Sequence, residues 1–217
     1  MSPSEEVLLP PVEKAEKYQG NIPAKTLKRV KIPKGWHEGL FFDGKLIWVM
    51  NGKGGNIWKV DTEAEEVVDT ITPVGPFTEG LTSAGDGTYW LTDWDDKKIY
   101  RVRTEGDTMT ADYDVSVAPA LPAGIVWTGE RLYVVTWTRG LAGTKFHLLE
   151  LDRNETVFRK FEIKGILEPA HLAWDGRYLW VTSWYSRLVY KIDPVTHSVL
   201  GHFKSPASET TGIVWDG

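Results

Sequence analysis

The chain contains the stretch Ala170-His171-Leu172-Ala173-Trp174-Asp175-Gly176, followed closely by Leu179-Trp180-Val181-Thr182-Ser183-Trp184. Four related copies of its opening occur elsewhere, at Glu38-Gly39-Leu40, Glu79-Gly80-Leu81, Ala123-Gly124-Ile125 and Thr211-Gly212-Ile213. Successive openings are spaced by 41, 44, 47 and 41 residues. A repeat of this length is typical of propeller blades. One such unit cannot bury both faces of its sheet, so we expect the copies to stack against one another.

Each copy reads as a series of short strands, because apolar residues alternate with period two and almost no helical periodicity is present. Asp175-Gly176 is the hairpin signal in the fourth copy. The predicted strands there are 171–174, 178–182, 188–192 and 199–203, and the first copy gives 40–43, 46–50, 56–60 and 66–71. The sequence therefore predicts an all-β propeller of four-stranded antiparallel blades.

Counting strands predicts five blades, the last of them incomplete. Four copies are complete, whereas the fifth contains only the strand 212–215. A spare strand, 26–32, precedes the first blade, and we expect it to form the outer strand of the fifth blade. The chain would then be a five-bladed propeller whose last blade joins both ends. Either it is truncated at the C-terminus, which we favour, or residues 2–24 supply the two missing strands. Residues 1–24 are predicted to be a polar arm or linker, and residues 25–217 a single propeller domain.

Composition excludes several classes of function. The net charge of −5, with no basic cluster, argues against nucleic acid as a partner. No apolar run is long enough to cross a bilayer, and no signal peptide is visible in this chain. The absence of Cys excludes disulfides, thiol nucleophiles and thiolate metal sites. We expect a monomer that binds a small molecule or a peptide, and the 11 Trp residues are expected to fill the wedges between blades.

Blade topology brings a defined set of residues to one face of the propeller. The start of each innermost strand and the end of each second strand meet there, close to the central axis. Trp94, Trp137 and Trp184 share one repeat position, which Gly52 occupies in the first copy. They are either a repeated packing device or an aromatic wall for a ligand. We predict a central mouth at this face, because ligands bind preferentially in such clefts.

Glu38 and Glu79 also share a repeat position, directly before Gly-Leu. Two carboxylates near the axis would repel each other, raising one pKa toward a value useful for proton transfer. They could also hold Ca²⁺ or Mg²⁺, with Asn51 and Asp93 as further oxygen ligands. Because aromatic residues occupy positions that a hard-cation site would give to oxygen, we expect no tightly bound metal and no cofactor.

The first two copies resemble a known family. The segments Phe77-Thr78-Glu79-Gly80-Leu81-Thr82 and Leu91-Thr92-Asp93-Trp94 are similar to the plant and bacterial glutamine cyclotransferases, which are five-bladed propellers. Trp36-His37-Glu38-Gly39-Leu40-Phe41-Phe42-Asp43-Gly44 resembles their first-blade signature. The resemblance covers roughly residues 26–217, and its later part is shared with other propeller repeats.

The resemblance implies a reaction and a set of site residues. In that family the α-amine of an N-terminal glutamine attacks its own side-chain carboxamide, which yields pyroglutamate and ammonia. Glu79 would be the catalytic acid/base. The predicted substrate-binding residues are Trp36, Glu38, Phe77, Trp94, Trp137, His171 and Trp184. The chain departs from the family at Ala123, which replaces a substrate-facing Trp, at Ala170, which replaces an Asn, and at Glu38, which replaces a Gln.

Two other functions remain open at this point. The mouth could bind a peptide or small ligand without catalysis, or the chain could resemble the metal-dependent lactonases and streptogramin lyases. His171 is the well-placed candidate for the catalytic histidine of the lyase group. A glutaminyl-peptide assay and a metal titration separate these alternatives. The resemblance also implies a secreted or periplasmic location, although the sequence itself does not determine the compartment.

Overall fold

A computed structural model describes residues 19–152 and 157–217 of the chain. Within these ranges, sixteen strands form four sheets, and each sheet contains four consecutive antiparallel strands. The innermost strands contact one another in turn around a central axis, so each sheet is a propeller blade. The prediction of an all-β propeller with four-stranded blades is confirmed. The predicted number of five blades is wrong, because the described residues form four.

The strands are numbered in chain order. The first blade contains β1 (His37–Phe42), β2 (Ile47–Asn51), β3 (Ile57–Asp61) and β4 (Glu66–Ile71). The second contains β5 (Thr78–Ser83), β6 (Tyr89–Asp93), β7 (Lys98–Glu105) and β8 (Thr108–Ser116). The third contains β9 (Leu121–Trp127), β10 (Leu132–Gly140), β11 (Gly143–Leu151) and β12 (Val157–Glu162). The fourth contains β13 (Pro169–Trp174), β14 (Leu179–Ser183), β15 (Leu188–Ile192) and β16 (Val199–Lys204).

The Asp-Gly signals form the tight turns that the sequence predicts. Asp175 accepts hydrogen bonds from the backbone amides of Arg177 and Tyr178 at 2.8 and 2.6 Å, and its second oxygen accepts the Trp180 indole N–H at 2.7 Å. Gly176 has a φ of 92°, which a residue with a Cβ rarely adopts. The first blade repeats these contacts: Asp43 caps its own turn and accepts the Trp48 indole N–H at 2.7 Å.

Every innermost strand carries an irregularity at the same place. The register with the second strand shifts once in β1, β5, β9 and β13, next to the first residues of each repeat. A β-bulge bends its strand and changes the direction of a side chain, and such bulges are common beside active sites. The residues in or beside these shifts are Glu38, Glu79, Ala123 and Ala170.

Glycine allows the innermost strands to approach closely. A Cβ at Gly39 would collide with the carbonyl oxygen of Glu79 and would lie 2.6 Å from Nε2 of His171. A Cβ at Gly124 would collide with the Cα of His171. The buried apolar side chains lie farther out, between neighbouring sheets, with Trp48 and Trp90 among the most buried aromatic residues. Part of the aromatic content therefore fills the space between blades, as predicted.

The two ends of the described chain do not form the predicted fifth blade. Residues 205–217 contain no strand, and neither do residues 26–32, so a strand 212–215 paired with a strand 26–32 is wrong. The C-terminal segment instead lies between β13 and β1: the Thr211 hydroxyl donates to the carbonyl of His37 at 2.9 Å, and the Thr182 hydroxyl donates to the carbonyl of Thr211 at 2.7 Å. The repeat at Gly212 reproduces the packing of an innermost strand, but no second strand pairs with it.

The N-terminal part of the described chain pairs with the fourth blade. The Ile22 amide donates to the carbonyl of His202 at 2.6 Å, and the His202 amide donates to the carbonyl of Gly20 at 3.0 Å. This short parallel contact covers the edge of β16, which would otherwise present unpaired backbone groups. The predicted boundary between an arm at 1–24 and a propeller at 25–217 stays a prediction, since residues 1–18 lie outside the described ranges.

Candidate functional site

One face of the ring collects the residues that the sequence points to. The chain enters each innermost strand at this face and leaves each second strand there, as the pairing of Thr78 with Asp93 shows. We call this face the mouth and define it by the four bulge residues Glu38, Glu79, Ala123 and Ala170. Two of these positions are carboxylic acids on adjacent blades, and the other two are alanines. The acidic side of the mouth therefore belongs to the first two blades.

Glu79 is the most perturbed acid of the mouth. Burial raises its pKa well above the usual value, and the negative charges of Glu38, Asp93 and Asp95 raise it further. The pKa of Glu38 is likewise raised, to about 7, mainly by burial. A hydrogen bond from the Trp36 side chain lowers this pKa, and the negative charge of Glu209 raises it. A raised pKa favours the protonated form of a carboxyl group, which makes Glu79 the candidate proton donor of the mouth.

Asp93 and Asn51 have a structural task instead. Asp93 is fully buried, and its two oxygens accept the backbone amides of Phe77 and Asp96 at 2.7 and 2.8 Å. Asn51 accepts the Trp36 amide at 2.9 Å in the equivalent place of the first blade. These side chains fasten the turn that leads into the innermost strand, so they are poorly placed to coordinate a cation. In the described ranges, no group of three or more His, Asp or Glu side chains has a metal-binding arrangement.

The three repeated tryptophans occupy equivalent backbone positions. Trp94 and Trp184 donate their amides to Phe77 and Glu168, and Trp137 pairs with Leu121, which is the corresponding residue of the third blade. The rings of Trp94 and Trp137 meet edge to face with centroids 5.4 Å apart. The Trp137 indole N–H donates to the carbonyl of Pro169 at 2.7 Å, which ties the third blade to the fourth. Trp137 is therefore at least partly a packing residue.

The remaining tryptophans and Phe77 differ in exposure. Trp184 is 47% exposed and Trp36 is 69% exposed, so both are accessible from solvent. Phe77 is half-buried, and its ring would lie 2.7 Å from a Cβ at Gly52. The first blade lacks the fourth tryptophan because the Phe77 ring and the Glu38 side chain occupy that space.

His171 lies inside the ring rather than at its surface. It is 2% exposed, its Nδ1 lies 3.0 Å from the carbonyl oxygen of Ile213, and burial lowers its pKa to about 4. The ring is therefore neutral at physiological pH, with Nδ1 as the donor. Its Nε2 is sealed from solvent and has no hydrogen-bond partner in the part of the chain that the structure describes. The His171 side chain therefore fills the space between Gly39 of the first blade and the C-terminal segment.

Sequence reasoning assigned no role to Glu168. This residue has a φ of 47°, precedes β13, and corresponds in the repeat to Trp36, Phe77 and Leu121. Its Oε2 is sealed from solvent without a hydrogen-bond partner among the described residues. A strained backbone and an unpaired buried oxygen are features that cluster at functional sites. Aligning the repeats could have drawn attention to Glu168, because the other three residues at this repeat position are apolar.

Arg139 and Glu209 also adjoin the mouth. The Arg139 guanidinium lies 5.6 Å from the centroid of the Trp94 ring, and it follows Trp137 by two residues on β10, which places both side chains on the same face of the strand. Glu209 raises the pKa of Glu38 from the C-terminal segment. The period-two pattern could have indicated Arg139. Glu209 could not be placed, because its segment is positioned by contacts that are distant in sequence.

Comparisons with known proteins support the fold. No protein-family model matches the chain, and no curated protein matches it. Among solved structures, the glutaminyl cyclase of Myxococcus xanthus is similar, with a TM-score of 0.64 and 16% identity over 83% of this chain and 81% of the cyclase. A chain of a nidogen/laminin complex follows, with a TM-score of 0.56 and 18% identity over 82% of this chain and 84% of that one.

Virginiamycin B lyase of Staphylococcus aureus is also similar, with a TM-score of 0.52 and 15% identity over 87% of this chain and 64% of the lyase. The chain thus spans less than two thirds of the lyase. The three structures are named for two different enzymes and a protein complex, and their sequence identities to this chain are all below 20%. The shared property is the architecture: this chain is a β-propeller, as the glutaminyl cyclase and the lyase are.

Proposed function

We propose that the mouth binds the N-terminal glutamine of a peptide, or a small glutaminyl compound, and cyclises it to pyroglutamate. The observation that carries this proposal is the acid pair on the first two blades, in which Glu79 has a strongly raised pKa beside Glu38. Catalytic acids and bases are tuned in this way by burial and by like charges. The similarity in fold to a glutaminyl cyclase supports the same reaction class.

The chemistry requires one proton to move between two nitrogens. The neutral α-amine nitrogen attacks the carbon of the side-chain amide, a new C–N bond closes the lactam ring, and the C–N bond to the original amide nitrogen breaks. The attacking nitrogen loses a proton, and the leaving nitrogen gains one and departs as ammonia. The Glu79 carboxyl donates to the leaving nitrogen, and the resulting carboxylate accepts the proton of the attacking nitrogen. No water is consumed.

The surrounding aromatic side chains provide orientation and exclude water. Phe77 lies beside Glu79, and Trp94 follows the second strand of the same blade, where its ring contacts Trp137. An apolar wall on one side of a bound glutamine favours the folded conformer in which the amine approaches the amide carbon. In this proposal the Trp36 and Trp184 side chains, which are exposed, contact the rest of the peptide.

A lyase-like function through His171 has less support. The residue is 2% exposed, and Nδ1 is engaged with the carbonyl of Ile213. A general acid or base must reach the atom whose proton it transfers. His171 could do this only after the C-terminal segment moved. Ligand binding without catalysis is the remaining alternative, and the following assay separates it from the proposal.

The test is ammonia release from synthetic peptides that begin with glutamine, with pyroglutamate detected by mass spectrometry. We expect turnover by the wild type and a loss of about 10²–10⁴-fold in kcat for Glu79→Gln, with little change in KM. Glu130→Gln, in an exposed turn, is the matched control and should keep full activity. Circular dichroism verifies folding. If the wild type releases no ammonia from these peptides, the cyclase proposal is wrong.

A further inference from the structure

The net charge of −5 hides a local excess of positive charge near the N-terminal end of the described chain. Residues 25–34, which we call the basic strip, contain five basic residues and no acidic residue: Lys25, Lys28, Arg29, Lys31 and Lys34. All five of these residues are exposed. The expectation that the chain has no basic cluster is therefore wrong for this stretch.

The basic strip lies on the outside of the ring, between the fourth blade and the first. Just before the strip, the Ile22 amide donates to the carbonyl of His202 on β16 at 2.6 Å. Within the strip, the Lys28 ammonium donates to the carbonyl of Thr62, in the turn between β3 and β4, at 2.6 Å, and it lies 3.6 Å from a carboxylate oxygen of Glu65. The strip is thus anchored just before its start and near its middle.

The other four cations of the strip lack a compensating acid in the part of the chain that the structure describes. Lys25, Arg29, Lys31 and Lys34 make no salt bridge and no side-chain hydrogen bond with a described residue. Basic residues of the sheets differ in this respect, since the ammonium group of Lys59 lies 2.8 Å from the Asp69 carboxylate. A row of uncompensated positive charges attracts an anionic partner.

The backbone of the strip also carries unpaired groups. Within the described ranges, no backbone hydrogen bond joins residues 23–32 to another residue. Arg29 and Lys31 are exposed whereas Val30 and Ile32 are partly buried, and this alternation is the pattern of an extended segment. The position of Ile32 before a proline favours the same conformation. Unpaired N–H and C=O groups along an extended segment are a template for a further strand.

We propose that the basic strip binds an extended acidic segment of a partner protein, which pairs with it as a β-strand. Residues two apart in an extended chain point the same way and lie about 7 Å apart, so carboxylates at alternate positions of the partner would face Arg29 and Lys31. These cations would form charge-assisted hydrogen bonds with the carboxylates. Apolar residues between the carboxylates would extend the partly buried face of Val30 and Ile32. This inference is independent of the function of the mouth.

The surroundings of the strip favour a narrow ligand over a broad polyanion. The cations form a single row, and the turn that Lys28 contacts carries Glu63, Glu65 and Glu66. A duplex nucleic acid or an anionic membrane would bring its phosphates close to these acids and to a chain whose net charge is −5. A single extended peptide can contact the row of cations without covering the acidic turn.

The test measures, by fluorescence anisotropy at low ionic strength, the binding of a labelled peptide in which Glu and Val alternate. We expect saturable binding with a Kd of about 10 μM to 1 mM, and the double variant Arg29→Gln, Lys31→Gln should weaken it at least about fivefold. Lys53→Gln combined with Lys164→Gln is the matched control, because both residues are exposed and the net charge changes equally. Amide hydrogen exchange of residues 26–32 should slow when the peptide binds. Circular dichroism verifies folding.

Two further peptides separate charge from strand pairing. Replacing Glu by Gln removes the carboxylates, and replacing Val by Pro keeps them but removes amide donors. Both peptides should bind at least about fivefold more weakly. Four results would overturn the proposal: no saturable binding of the Glu-Val peptide, an equal loss in the control variant, full affinity for the proline peptide, or tighter binding of oligothymidylate or phosphatidylserine vesicles. The last result would identify a nucleic acid or a membrane as the ligand instead.

Discussion

Burial shifts the pKa values of two ionisable residues in the ring away from their ordinary values. Burial raises the pKa of Glu38 to about 7 and lowers that of His171 to about 4. The two shifts act on stability in opposite directions over overlapping pH ranges. Between pH 4.5 and about 7, folded Glu38 binds more protons than the unfolded chain does, so the free energy of unfolding falls as pH rises. Between pH 6.5 and about 4, His171 remains neutral only in the folded state, so stability falls as pH decreases.

Replacing Glu38 by Gln should remove the contribution of Glu38 to this pH dependence. Gln cannot ionise, so the variant should gain free energy of unfolding relative to the wild type as pH rises from 4.5 through about 7. We expect a gain of about 1–3 kcal/mol at roughly pH 8 relative to the difference at pH 4.5. Urea unfolding across this range measures it, and Glu130→Gln is the exposed control. A pH-independent difference would contradict the pKa assignment.

The recurring element is an innermost strand that combines a bulge with a glycine. The bulge directs the mouth residue, as at Glu79, and the following glycine allows the neighbouring blade to approach. In the fourth blade His171 takes the glycine position, and its ring fills the space beside Gly39. The same element therefore serves both the packing of the ring and the placement of the acids.

Gly39→Ala should be strongly destabilising. The added methyl group would collide with the backbone carbonyl oxygen of Glu79, which cannot move as a flexible side chain can, and would lie 2.6 Å from Nε2 of His171. We expect a loss of at least about 1–3 kcal/mol in the free energy of unfolding. Gly140→Ala is the matched control, because its Cβ would meet its nearest neighbour, the Gly143 carbonyl oxygen, at 3.8 Å. Equal losses in the two variants would show that close approach is not the cause.

At the scale of the whole molecule, the ring is closed by the C-terminal segment. β1 and β13 touch each other far less than the other neighbouring pairs of innermost strands do. Thr211 joins the first and fourth blades, since its hydroxyl donates to the carbonyl of His37 on β1 and its carbonyl accepts the Thr182 hydroxyl of β14. Residues 20–22 add a short parallel contact to β16. Closure therefore depends on a few hydrogen bonds at one junction.

Thr211→Val should weaken that junction selectively. The substitution keeps the shape of the side chain but removes the donor to His37, so we expect a loss of about 1 kcal/mol in the free energy of unfolding. Amide hydrogen exchange should become faster in β1 and β13 and stay unchanged in β6 and β10. Thr104→Val, at an exposed position of β7, is the control. Unchanged protection of β1 and β13 would mean that another contact closes the ring.

Much of the architecture could be predicted from the sequence because it is local and repeated. The Asp-Gly turns, the period-two strands and the shared position of Trp94, Trp137 and Trp184 all depend on residues close in the chain. The predicted strand 188–192 coincides with β15. The clustering of Glu38 and Glu79 at one face also followed, because antiparallel topology decides which strand ends meet.

Tertiary structure alone decided the number of blades and the surroundings of the acidic side chains. The small residue in Thr211-Gly212-Ile213 allows this segment to pack closely against β1. A segment without a paired second strand can make this contact, so the pattern does not prove a fifth blade. Asp93 and Glu79 are both acidic residues at strand ends of the second blade. The Asp93 carboxylate accepts backbone amides, whereas the Glu79 carboxyl group is buried near Glu38. Each of these outcomes depends on contacts between residues far apart in the chain, and such contacts leave no periodic pattern in the sequence.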